Sequence, residues 1–150
     1  SHLETVPEFL PDRFEPGTQN LPGIFGLHAA LTYLEQTGID AIREHEMACT
    51  ARLLEGLSRL KGIRIVGRTQ LTGRTAVVSV EFLHMDNADA AFLLEDKYGI
   101  MTRCGLHCAP SAHKTLDTFP RGTVRFSLGF ASTVEDVDAA LTAIRQISEA

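Results

Sequence analysis

The run Arg103-Cys104-Gly105-Leu106-His107-Cys108-Ala109-Pro110 gathers thiol, imidazole and guanidinium groups around one glycine-containing turn. A second arginine, Arg125, follows in Thr123-Val124-Arg125-Phe126-Ser127. A site that holds an amino-acid carboxylate and does thiol chemistry needs such groups. The thiolate is the reactive form of cysteine, and nearby cations or a histidinium favour it. Arg103 and His107 supply that charge to Cys108 if the turn folds them toward the sulfur. Gly105 permits backbone angles closed to other residues, and Pro110 stiffens the exit. The plainer alternative is that Cys108 is a small buried apolar residue, the commoner state of a free cysteine.

Arg125 lies between Val124 and Phe126 in an apolar strand, so its charge requires a partner. A guanidinium fork grips a carboxylate with two parallel bonds, and either a substrate or a fixed Asp or Glu satisfies it. The fixed acid is the commoner arrangement. Cys104, Cys108, His107 and His113 also invite a zinc reading. Structural zinc sites pair a C-x-x-C-type ligand set with a second distant pair. Here Cys49 falls on a helix far along the chain, and strand alternation sends Arg103 and Cys104 to opposite faces. We therefore expect no metal. Gly17-Thr18-Gln19-Asn20 precedes a helix, where backbone amides and a hydroxyl favour phosphate, although Thr and Asn also serve as routine caps.

The elements that must position these groups follow from periodicity. Pro7, Pro11 and Pro16 predict an extended segment over residues 1–20. Ile24, Leu27, Ala30, Leu31 and Leu34 recur at helical spacing, with Gly38 as the stop. A second helix runs from Ile39 to Leu60, with Ile42, Met47, Leu53, Leu54, Leu57 and Leu60 on its apolar face. Ile63–Val66 and Ala76–Phe82 read as strands. Asp86 caps a helix to Tyr98 that ends at Gly99. Ile100–Cys104 is a short strand feeding a long loop, and Thr123–Leu128 is another strand. Ser132 or Thr133, followed by Glu135 and Asp136, starts a last helix whose stripe is Val137, Leu141, Ile144 and Ile147. This order predicts an α+β fold, a small sheet of three to four mainly antiparallel strands with helices on one face.

The chain has 150 residues, 44% of them hydrophobic and 22% charged, enough for one core. Its net charge of −5 argues against a nucleic-acid partner. No apolar run approaches the roughly 20 residues of a membrane span, so no membrane partner is expected. Three cysteines without an even, closely spaced pattern fit a reducing, cytoplasmic setting. The start at Ser1-His2, without methionine, suggests an interior piece of a longer protein or a trimmed chain.

Taken together, the motifs resemble one family. Arg13-Phe14-Glu15-Pro16-Gly17-Thr18-Gln19-Asn20, then Pro22-Gly23-Ile24 and Gly26-Leu27, resembles the F-E-x-G-T-x-N…G-x-x-G-L segment of cysteine desulfurases and selenocysteine lyases. Lys97-Tyr98-Gly99-Ile100, the Arg103–Pro110 run and Val124-Arg125-Phe126-Ser127 follow in the family's order, so the likeness covers nearly all of residues 13–148. These proteins belong to the class V branch of fold-type I pyridoxal-phosphate enzymes. The resemblance implies that residues 21–150 are the small C-terminal domain, and residues 1–20 a linker from a large domain. It implies that the complete enzyme is a homodimer that removes sulfur from L-cysteine, leaving alanine and a persulfide on Cys108. A sulfur-acceptor protein takes the persulfide onward, for uses such as iron–sulfur cluster assembly. Arg125 matches the arginine that holds the substrate carboxylate, and Arg103 a second arginine lining the site. His107 matches a position beside the nucleophile. Thr18, with Asn20 beside it, matches the residue that reaches the cofactor phosphate across the dimer. The family's Schiff-base lysine lies in an S-x-H-K-type motif of the large domain. Ser111-Ala112-His113-Lys114 imitates it from the wrong side of the nucleophile loop, so this chain alone is expected neither to hold pyridoxal phosphate nor to be active. Selenocysteine lyase, class V aminotransferase and a non-catalytic binding or scaffold module of the same fold are the competing readings.

Overall fold

Alternation along the strands decides which residues meet the helices and which are left on the far face of the sheet. A computed structural model describes residues 8–15 and 17–149; Pro7, Pro16 and the first half-dozen residues of the expected extended segment lie outside them. The element order is α1 (Leu21–Thr37), α2 (Ile39–Ser58), β1 (Ile63–Val66), β2 (Val77–Phe82), α3 (Asn87–Tyr98), β3 (Arg103–Gly105), α4 (Pro110–Thr115), β4 (Thr123–Ser127) and α5 (Val134–Ser148). The strands form one sheet in the order β1-β2-β4-β3, every neighbouring pair antiparallel. The fold is α+β, with five helices and a four-stranded antiparallel sheet. By their internal contacts the residues group into two units, Ser1–Ile39 and Asp40–Ala150.

In the second unit, Val78, Val80 and Phe82 of β2 and Val124 and Phe126 of β4 are buried on one face of the sheet. Against them pack Cys49, Leu53, Leu54 and Leu57 of α2, Ala90 and Leu94 of α3, and Val137, Ala143, Ile144 and Ile147 of α5. The intervening residues Ser79, Glu81, Thr123 and Arg125 point to the opposite face. On that face Arg64 of β1 pairs with the buried Glu81, its cross-strand neighbour, and also donates to the Asp117 carbonyl at 3.2 Å. Helix α5 starts as its sequence predicts: Thr133 accepts from the Asp136 amide at 3.1 Å, and the Asp136 carboxylate accepts from the Thr133 amide at 2.8 Å.

Three local expectations are corrected. Leu10–Phe14 is turned rather than extended, since the Arg13 amide donates to the Phe9 carbonyl and the Phe14 amide to the Pro11 carbonyl. Strand β3 starts at Arg103, not Ile100. The Ile100 N–H is already used to close α3, donating to the Leu94 carbonyl at 2.9 Å beyond the left-handed Gly99. Finally, the segment after the Cys108 turn is not wholly loop. Pro110 opens the short helix α4, a position where its missing N–H and preset φ suit a helix start.

Candidate functional site

Strands β3 and β4 bring the two arginines together. Their register sets Arg103 opposite Arg125, Cys104 opposite Val124 and Gly105 opposite Thr123. Because Val124 is fully buried among the helices, Cys104 shares the core side, and both arginines share the far side. Burial first, and then the charge of Asp86, push the Cys104 thiol up, against an opposing hydrogen bond from Gly105; it therefore stays protonated. Ser79 of β2 flanks Arg125 on its other side.

Like charges directly across a strand pair repel, so this pair calls for an anion between or above it. Among the described residues the ion pairs are Arg52–Asp138, Arg59–Glu55 and Arg64–Glu81, and neither Arg103 nor Arg125 takes part. The Arg125 Nε atom is buried and lacks a hydrogen-bond partner. The fixed acid that would make Arg125 an ordinary structural salt bridge is thus missing from the described residues. A planar carboxylate is the group whose shape suits the fork.

Beyond β3 the chain makes a tight turn over Leu106–Ala109, closed by the Ala109 amide donating to the Leu106 carbonyl at 2.8 Å. Both central residues have positive φ, 50° at His107 and 59° at Cys108. Two consecutive left-handed residues are the mark of a type I′ turn, which ordinarily carries Asn-Gly. Placing His and Cys there costs roughly 1–2 kcal/mol per residue. Side-chain chemistry at these two positions is a reason to bear such strain. Cys108 is exposed on this turn. The His107 ring reaches back to β3, its Nε2 3.0 Å from the Arg103 carbonyl. A carbonyl only accepts, so Nε2 carries the proton and donates it.

The 106–122 excursion is pinched shut at its base by two glycines. Gly122 has φ 70°, and a Cβ there would stand 2.3 Å from the Gly105 carbonyl carbon. The buried Asn87 fastens the same point, accepting from the Phe82 amide and donating to the Gly122 carbonyl, both at 3.0 Å. Sequence reasoning singled out Gly105 but missed Gly122 and Asn87. The Arg121-Gly122 pair just before a strand was the available sign of a glycine-dependent turn.

Thr18 and Asn20 belong to the first unit. Asn20 is the N-cap of α1, its Oδ1 accepting from the Gly23 amide at 3.2 Å. Gly23 leaves the room for that cap, because a Cβ there would meet the Asn20 side chain at 2.5 Å. Thr18 is exposed just before the cap. In Ser111-Ala112-His113-Lys114, now on α4, His113 is buried and Lys114 is exposed with its Nζ 5.2 Å above the Phe119 ring. No group of three or more His, Cys, Asp or Glu converges to hold a metal among the described residues. No described helix is long and apolar enough to cross a membrane.

Pyridoxal phosphate is held through a lysine amine and needs walls for its ring. The three lysines, Lys61, Lys97 and Lys114, are all exposed. A groove of about 480 Å³ beside β4, between Tyr98–Met101 and Ser132–Ala140, is lined by none of them. The described residues therefore do not fit as a resident site for the ring; what they offer is the thiol and a carboxylate grip.

The family model described as "Aminotransferase class-V" matches residues 3–140. A probable cysteine desulfurase 2 of Mycobacterium leprae is 36% identical over 128 residues, covering 85% of this chain and 30% of that protein. A probable cysteine desulfurase of Pseudomonas putida is 37% identical over 136 residues, 91% of this chain and 32% of its own length. Among solved structures, the apo cysteine desulfurase of Thermococcus onnurineus superposes with a TM-score of 0.85 at 34% identity, over 93% of this chain and 34% of that one. The S-sulfonic acid form of the Escherichia coli cysteine desulfurase CsdA gives 0.80 at 28% identity, over 93% and 33%. The chain spans about a third of the length of the curated relatives it matches. With a family model matching residues 3–140 and relatives about 36% identical over most of its length, the chain belongs to the class-V aminotransferase family, in relation to its cysteine desulfurases.

Proposed function

We propose that this chain is the thiol- and substrate-bearing small domain of a pyridoxal-phosphate-dependent cysteine desulfurase, the ring being held by residues outside those described. In this reading residues 21–150 form the small domain, residues 1–20 lead into it, and the complete enzyme is a homodimer. The observation that carries it is the exposed Cys108 on a strained turn that follows the strand bearing Arg103, whose cross-strand partner Arg125 has no carboxylate partner among the described residues.

Arg125 receives the carboxylate of L-cysteine, and Arg103 across the strand pair adds a second positive charge at the same face. The Cys108 thiolate bonds to the substrate sulfur as the substrate's carbon–sulfur bond breaks. The electron pair remains with carbon, which takes up one proton to balance the one released when the Cys108 thiol ionised; the three-carbon remainder leaves as alanine, and Cys108 keeps the sulfur as a persulfide for an acceptor protein. Electron acceptance at carbon is what pyridoxal phosphate supplies when bound. His107 holds the turn to Arg103 through Nε2 and is not assigned a proton-transfer role. Thr18, with Asn20, is assigned to the cofactor phosphate of the neighbouring subunit by resemblance alone. Simple amino transfer needs no loop thiol, so strain spent on presenting Cys108 favours sulfur removal.

The test is alanine and sulfide release from L-cysteine, with pyridoxal phosphate and a reductant, by the complete protein carrying this chain, wild type beside Cys108→Ala. Activity that disappears in the variant is expected. Undiminished activity in Cys108→Ala, or no wild-type activity, would overturn the proposal.

A further inference from the structure

We propose that His113 is a positioning residue for the Cys108 turn and acts through the ring of His107. The inference rests on the reading of Cys108 as the reactive thiol, and it names a part of that site which neither motif nor family match assigns.

His113 is buried, with 6% of its surface exposed, on a helix that begins directly after the turn. Its backbone amide donates to the Ala109 carbonyl at 3.2 Å, while the Ala109 amide closes the turn on Leu106. That backbone bond is the first of α4, with Ala109 as its N-cap, and it sets the His113 ring one helical turn beyond the end of the turn. Its Nδ1 lies 2.6 Å from the Thr118 hydroxyl, which in turn lies 3.3 Å from the His113 carbonyl. When the hydroxyl proton goes to the carbonyl, the hydroxyl oxygen accepts from Nδ1–H, and all three groups are satisfied at once. The ring is thereby locked.

That locked ring meets His107. Their centroids are 5.8 Å apart with planes inclined at 37°, inside the range of interacting aromatic pairs. His107 is the first of the two left-handed residues, and its Nε2–H bond to Arg103 ties the turn to β3. Without a wall behind it, the imidazole is free to leave that carbonyl, and the strained backbone at His107 and Cys108 has less to oppose its relaxation. The ring of His113, rather than its hydrogen bond to Thr118, is the part that reaches the turn.

Two substitutions separate ring from bond. His113→Asn keeps a donor near the Nδ1 position but deletes the ring face; His113→Phe keeps a ring and deletes the donor. Amide hydrogen exchange of Ala109, read by NMR on this chain, reports opening of the turn without any need for turnover. It thus stands or falls separately from the desulfurase assay. We expect exchange at Ala109 to quicken about tenfold or more in His113→Asn and to stay within about threefold of wild type in His113→Phe, with the amides of the β2–β4 ladder unchanged in both. His107→Ala should match His113→Asn, and the double variant should be no faster than either alone, as expected of residues acting in series. Wild-type exchange in His113→Asn would overturn the proposal. So would equal acceleration by both His113 variants, additive effects in the double variant, or acceleration spread through the ladder.

Discussion

Substituting alanine at Gly122 attacks the loop at its base, and its cost can be built from two parts. The first is conformational: φ at Gly122 is 70°, and an L-residue with a Cβ resists this region by roughly 1–2 kcal/mol. The second is steric. The new Cβ would lie 2.3 Å from the carbonyl carbon, 2.4 Å from the oxygen and 2.7 Å from the Cα of Gly105. These are backbone atoms of β3, so no side chain can swing away, and the strands must part by roughly 1 Å to restore contact distance. Overpacking of that kind costs about 1–3 kcal/mol. Gly99→Ala provides the comparison, since φ there is 66° but nothing lies within 4 Å of the added carbon. Both variants lose the same backbone freedom in the unfolded chain, so that contribution cancels between them. Urea unfolding followed by circular dichroism should place Gly99→Ala about 1 kcal/mol below wild type and Gly122→Ala a further ~1–3 kcal/mol below Gly99→Ala, with similar slopes. Equal losses would refute the close approach of Gly105 and Gly122, and with it the closed base of the loop that carries Cys108.

Arg125→Met should leave thermal stability unchanged or raise it, because no acid among the described residues is left unpaired; a drop of more than about 2 kcal/mol would make Arg125 a structural residue after all. Thr133→Ala should lower stability by about 1 kcal/mol through loss of the α5 cap, measured by urea unfolding. Hydrogen bonds from the Thr133 amide and then its hydroxyl hold the Asp136 carboxyl below its usual 3.8. A lowered folded value stabilises above the unfolded one, so the wild-type advantage over Asp136→Asn should be complete above about pH 5 and vanish as pH falls through the folded value. A pH-independent difference would contradict that assignment. Iodoacetamide at neutral pH, mapped by peptide mass, should modify Cys108 before Cys104, whose thiol is pushed up by burial, and Cys49, which is 1% exposed, last; labelling of Cys104 first would refute the exposure of Cys108 on its turn and the placement of Cys104 on the core side of β3.

The secondary structure was largely legible because its signals are local. Asp86 and Gly99 bracket α3, and the Thr133–Asp136 box opens α5, each through hydrogen bonds within a few residues. The α+β class followed from the order of elements. Where reading failed, a local group was engaged elsewhere: Ile100 could not begin β3 with its amide already closing α3, and Pro110 opened a helix instead of merely ending a loop. Cys108 was singled out by its surroundings in the chain and by its resemblance to a family motif. That His107 and Cys108 would both be left-handed was not, since no glycine marks either position.

By itself the sequence determined the elements, the reactive residue types and the family, because helix periodicity, capping and motif spacing are written over short stretches of chain. Only the tertiary structure decided which groups share a face. The β1-β2-β4-β3 order inserts β4 beside β3, so Arg125 stands opposite Arg103 across 22 residues of chain, and Cys104 turns to the core while the arginines turn away. Strand pairing between segments distant in sequence depends on register, and a one-residue slip would exchange the two faces. The same holds for the Gly105–Gly122 contact and the meeting of His107 with His113, where backbone packing rather than residue type sets the distance.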